Sequence, residues 1–133
     1  MVVLIIATLA ALAWPNYVAI KEKTLNREAK ASLALIRAAE KIYRLEQGYY
    51  YPYPPESTSE SDISDINTFL KLSLPETASV NWSITVDSTP STEFSKATRY
   101  GTGSDNRFWT IDFTGDTSEP TCTEGTGSNC PHP

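Results

Sequence analysis

Met1-Val-Val-Leu-Ile-Ile-Ala-Thr-Leu-Ala-Ala-Leu-Ala-Trp-Pro-Asn-Tyr-Val-Ala-Ile20 contains no charged residue, and Lys21 opens a run in which charges are frequent. As a helix the uncharged stretch is about 30 Å long, the thickness of a bilayer's hydrocarbon core. Beyond it, Leu25, Ala29, Ser32, Leu33, Ile36, Ala39 and Tyr43 recur at intervals of three and four, one apolar stripe on a continuing helix. Lys21, Lys23, Arg27, Lys30, Arg37, Lys41 and Arg44, interleaved with Glu22, Glu28, Glu40 and Glu46, read as solvated faces with i,i+3 and i,i+4 pairs. Pro15 removes a backbone donor and loosens the helix locally. Gly48 is a natural cap and Pro52 forbids continuation. The spacing predicts one helix from near Met1 to about Gln47, residues 1–20 its hydrophobic half and residues 21–47 its amphipathic half.

Residues 48–79 read as a connecting loop containing a short helix. Tyr49-Tyr-Tyr-Pro-Tyr-Pro-Pro55 is held in turn or polyproline conformations by its prolines. Asp62 is placed to cap a helix over Ile63, Ile66, Phe69 and Leu70, with Pro75 as its stop. From Val80 the period changes to two. Val80, Trp82, Ile84 and Val86 alternate with polar residues, and Phe108-Trp-Thr-Ile-Asp-Phe113 repeats the pattern. Ala97 to Tyr100 supplies a strand between them, with Gly101-Thr-Gly-Ser-Asp105 as the turn into the last. Residues 80–114 therefore predict an antiparallel sheet of about three strands, and residues 115–133 a loop tail. The sheet needs an apolar surface, and the stripe from Leu25 to Tyr43 offers it. The expected fold class is α+β, one domain with no internal repeat.

Charge divides the chain. Residues 1–50 carry +3 and residues 51–133 carry -8, an acidic head on a basic stem. A head of that sign disfavours nucleic acid, so none is expected as a partner. The basic stretch suits anionic lipid or acidic neighbouring subunits. Cys122 and Cys130 are the only cysteines and His132 the only histidine, which argues for a disulfide over a zinc site and places the head in an oxidising compartment. With no Gly-rich phosphate loop and no set of nucleophile, base and orienter, catalysis is not expected.

An apolar N-terminal helix carrying Pro15-Asn16-Tyr17, a charged amphipathic continuation, a loop and then a small sheet resembles the type IV pilins and the pseudopilins of type II secretion. The likeness is close from Met1 to about Arg44 and architectural beyond Gly48. It implies a pilin-like fold and a structural protomer that bundles its N-terminal helices in a filament. Val2, Val3, Leu4, Ile5, Ile6, Leu9, Leu12, Trp14, Pro15 and Tyr17 would form the membrane and assembly helix, and Cys122 and Cys130 would match the family's C-terminal disulfide loop. The implied partners are identical or homologous subunits, the inner membrane before assembly, a prepilin peptidase and the assembly machinery. The head would face the periplasm or exterior, then the cell surface.

The family's basic leader, cleavage site after Gly, aromatic first residue and early Glu do not occur in this sequence. Met1 corresponds to a position several residues inside the mature helix, so the mature end is expected upstream. Ala7 stands where the family commonly has Gly, leaving Pro15 to loosen the helix. Read alone, Lys21, Lys23 and Arg27 would set the head in the cytoplasm by the positive-inside rule; the cysteines and the resemblance set it outside.

Other readings compete. Ala11-Leu12-Ala13 fits a signal-peptide cleavage site, which would leave a secreted or membrane-tethered, non-polymerising binding module beginning at Trp14. Tyr43, Tyr49, Tyr50, Tyr51 and Tyr53 read as rings packing the loop onto helix and sheet, in preference to a sugar-stacking surface or a subunit contact. Asn81-Trp82-Ser83 fits a glycosylation acceptor, though Trp82 reads better as a strand residue. Asp105, Asn106, Asp112 and Asp116 supply oxygen ligands of the kind calcium takes, without EF-hand spacing. No cofactor is otherwise expected.

Overall fold

The computed structural model describes residues 2–53, 59–76, 81–89, 92–99, 107–116, 119–123 and 130, and within residues 1–20 only the side chains of Val3, Ile6, Tyr17 and Ile20. The helix α1 runs unbroken from Val2 to Gln47, through Pro15. Its 46 residues make it about 69 Å long. It ends where Gly48 takes φ 91°, a left-handed conformation that costs glycine little, and the Gly48 N–H returns to the Arg44 carbonyl at 2.8 Å.

The second helix, α2, spans Ile63–Leu70, and the Asp62 side chain accepts its Ser64 N–H as the cap requires. It ends before Pro75 is reached, at Lys71 with φ 54°. Asn67 closes the following turn: its amide nitrogen donates to the Leu74 carbonyl at 2.9 Å, and its oxygen accepts the Leu74 N–H at 2.7 Å.

Five strands follow one another as an antiparallel meander: β1 Ser59–Glu60, β2 Trp82–Thr89, β3 Thr92–Arg99, β4 Phe108–Asp112 and β5 Thr121–Thr123. The architecture is thus α+β, a long N-terminal helix packed on an antiparallel sheet. β2 and β4 lie where alternation predicted strands, and β3 begins at Thr92, five residues before the strand expected from Ala97 to Tyr100. β1 falls inside the expected connecting loop and β5 inside the expected tail. Val80 and the turn 101–106 lie outside the described residues.

One face of the sheet meets α1. Register places Ile84 opposite Ala97 and Ala97 opposite Trp109, with Val86, Ser95 and Ile111 forming the next row. Between Glu93 and Arg99 the central strand thus presents Ser95 and Ala97 inward, both completely buried. Small side chains there let the helix lie close across β3 and β4. Larger residues on the flanks, Trp82, Ile84, Val86, Trp109 and Ile111, wrap Leu25, Ala29, Leu33 and Ile36 of the predicted stripe. Burial of Leu33 and Ile36 each contributes about 1.5–3 kcal/mol.

Polar bonds fix the helix along its second half. Near its midpoint the Trp82 indole donates to the Leu25 carbonyl at 2.9 Å, while Arg99 and Arg107 share the Glu22 carboxylate. Further along, Arg37 donates to the carbonyls of Asp112 and Gly115.

Candidate functional site

The apolar stripe from Leu25 to Ala39 is consumed by the sheet, so any surface for function on α1 lies elsewhere. Two parts of the helix remain uncovered. In the uncharged first half, every described side chain is exposed: Val3 80%, Ile6 61%, Tyr17 69% and Ile20 65%. In the second half, Leu35, Ile42 and Leu45 are exposed by 48%, 58% and 87%, with Ala31, Ala34 and Ala38 beside them. At 100° per residue these positions lie on the side of the helix opposite Leu25, Leu33 and Ile36. A second apolar stripe therefore runs along the outer face of α1. Sequence reasoning treated that face as solvated because its lysines and arginines dominate the count; a search for a second 3–4 spacing would have found it.

Beside the outer stripe, α1 and α2 enclose a groove of about 260 Å³, with Leu35, Ala38, Ile42, Phe69 and Leu72 among its lining residues. Glu46 and Lys71 form an exposed ion pair at 3.6 Å on its edge. Exposed pairs of this kind contribute little, so the groove's character is apolar.

The assembly helix expected from sequence is helical in backbone throughout Val2–Tyr17. The side chains of Val2, Leu4, Ile5, Leu9, Leu12, Trp14 and Pro15 lie outside the described residues. Among the described residues no helix is long and apolar enough to cross a membrane. Cys122 and Cys130 are joined by a disulfide that ties β5 to residue 130.

The tyrosines divide by role. Tyr50 and Tyr51 are buried, Tyr50 against Phe113 and Tyr51 stacked on Phe69 with ring centroids 4.8 Å apart. Tyr49 and Tyr53 stack on each other at 3.9 Å, and Tyr43 meets Tyr49 and Tyr51 edge-on. The rings therefore do pack the loop onto helix and head. Trp82 is buried as the first residue of β2. Of the oxygen ligands considered for calcium, Asp105 and Asn106 lie outside the described residues, and Asp112 and Asp116 are exposed. Among the described residues no group of His, Cys, Asp or Glu is placed to hold a metal.

One residue departs from its expected surroundings. Glu40, read as part of a solvated face, is completely buried. Its Oε2 accepts the Tyr51 N–H at 3.0 Å, and its Oε1 has no partner among the described residues. Burial pushes its carboxyl up to about 8, against the opposing pull of the Tyr51 hydrogen bond. Burial likewise holds the Tyr51 phenol above its ordinary range, with the charges of Glu60 and Asp65 adding to the effect.

No protein-family model, curated protein or solved structure matches this chain.

Proposed function

We propose that this protein is the structural protomer of a pilin-like filament, a type IV pilus or a type II secretion pseudopilus, assembled by bundling of N-terminal helices. The observation that carries the reading is the exposed, uncharged first half of α1, whose described side chains find no cover on their own head. Apolar surface of this extent needs lipid or other helices around it. A bundle of like helices supplies that cover without burying a charge. Before assembly the same half-helix would reside in the inner membrane with the head outside, a setting that suits the Cys122–Cys130 disulfide. The competing cleavage after Ala13 would cut inside α1, at a point where the helix is continuous.

Electron microscopy of the protein produced in cells with an assembly apparatus tests the reading. Filaments are expected from the natural sequence and not from Ile6→Asp, which sets a charge on the uncharged half and leaves the head folded. A mature chain beginning at Trp14 and remaining monomeric would overturn it.

A further inference from the structure

Of the glutamates on α1, Glu22, Glu28 and Glu46 keep contact with solvent and Glu40 has none. Among the described residues the Tyr51 N–H is the donor that reaches Glu40, and Oε1 is left without one. One donor suits a protonated carboxyl. An ionised Glu40 in the same place would be a buried charge with a single hydrogen bond, a far costlier arrangement than one unmatched neutral atom.

The groups around the contact supply no counter-charge. On α1 these are Arg37, Tyr43 and Arg44, on the loop Tyr50 and Tyr51, on β1 Glu60, on α2 Asp65 and on β3 Glu93. Arg37 is spent on the carbonyls of Asp112 and Gly115, and Arg44 lies over the Tyr50 ring and donates to its hydroxyl at 2.9 Å. Glu60, Asp65 and Glu93 carry the same sign as an ionised Glu40. Among the described residues no ion pair joins Glu40.

We propose that Glu40 and the segment Tyr49–Tyr53 form a proton-controlled latch: the protonated carboxyl seats the segment on α1, and loss of the proton releases it while the sheet stays in place. Release lets water reach the carboxylate. The opening is confined to the end of the helix because earlier bonds on α1 are independent of the segment. Glu22 holds Arg99 and Arg107, the Leu25 carbonyl holds Trp82, and Arg37 holds the end of β4. The ties that open with Glu40 are the Tyr50 hydroxyl to the Phe113 carbonyl, the Ser88 hydroxyl to the Pro52 carbonyl and the stack of Tyr51 on Phe69. Two buried tyrosine rings and one side of Phe69 would thereby reach solvent.

Amide hydrogen exchange of the full-length chain in detergent micelles, followed by NMR from pH 5 to 9, tests the latch. The seated carboxyl titrates at about 8 and the released one at 4.5, so the protection factor of the Tyr51 amide should fall about tenfold per pH unit up to 8 and then level off. It should lie below those of Ile84 and Ala97 throughout, and Glu40→Gln should make it independent of pH. Protection of Tyr51 equal to that of Ile84 and Ala97 would mean that the segment leaves only when the whole head unfolds. An unchanged pH dependence in Glu40→Gln would also overturn the proposal. Titration of the Glu40 carboxyl carbon in the natural protein gives a second measurement that needs no variant. Its midpoint should coincide with the exposure of Tyr51, and a carboxyl that ionises while the Tyr51 amide stays protected would remove the latch.

Discussion

Glu40 holds the backbone N–H of Tyr51 at 3.0 Å from a site with no solvent exposure, so an acid two turns before the end of α1 is what the loop after that helix folds onto. The loop brings its own cover, Tyr50 and Tyr51, both buried. The consequence is a carboxyl kept in its neutral form well into the range where exposed glutamates are ionised.

Stability should therefore depend on pH in a defined direction. Glu40 has its folded value raised to about 8, above the ordinary 4.5, so its contribution is fully present below pH 4.5 and is lost as pH rises through 8. The slope reaches at most about 1.4 kcal/mol per pH unit in that window. Thermal melts at pH 5 to 9 of the natural protein and Glu40→Gln should diverge, the variant being the more stable at pH 8 and above. Parallel curves would contradict the assignment.

The ion pairs that α1 makes through Glu22 and through Glu46 should differ in worth. Glu22→Gln removes the carboxylate shared by Arg99 and the buried Arg107. We expect a loss of about 1–2 kcal/mol, below the value for a fully enclosed pair because Glu22 is itself partly exposed. Lys71→Gln, which breaks the exposed pair with Glu46, should change stability by less than about 0.5 kcal/mol. Urea unfolding of both variants measures the contrast.

Ala97 lies under the helix on the central strand with no exposure. Ala97→Leu should cost about 1–3 kcal/mol by lifting α1 from β3. Thr98, half-buried and pointing to the other face, should accept Val within about 0.5 kcal/mol. Equal effects at the two positions would place the helix wrongly.

Replacing Cys122 and Cys130 by Ser should lower stability by ~2–3 kcal/mol, the value for closing so short a loop. Because β5 has three residues and one neighbour, the change should be seen first as faster amide exchange at Thr121–Thr123, with β2 and β3 still protected. Uniform loss of protection would make the disulfide a support of the whole head.

Features that depend on neighbours in sequence were legible without a structure. The 3–4 spacing from Leu25 to Tyr43, the glycine stop at residue 48, the Asp62 cap and the alternation in β2 and β4 each follow from local geometry. β3 was only partly legible, since the residues it turns toward the core, Ser95 and Ala97, lie between Glu93 and Arg99 and leave no apolar alternation to count. β1 and β5, of two and three residues, exist through pairing with β2 and β4, which no local pattern encodes.

The candidate site divides in the same way. That residues 1–20 are uncharged and seek apolar surroundings was decided by the sequence alone, as was the mixture of charges and apolar residues on residues 21–47. Which side of that second half would be covered was decided by tertiary structure. The sheet took the face containing Leu33 and Ile36, the loop through Tyr51 enclosed Glu40, and Leu35, Ile42 and Leu45 were left outside. A helix's periodicity is a property of consecutive residues. Its burial depends on strands and loops that lie tens of residues further along the chain, and only their packing chooses between two apolar stripes.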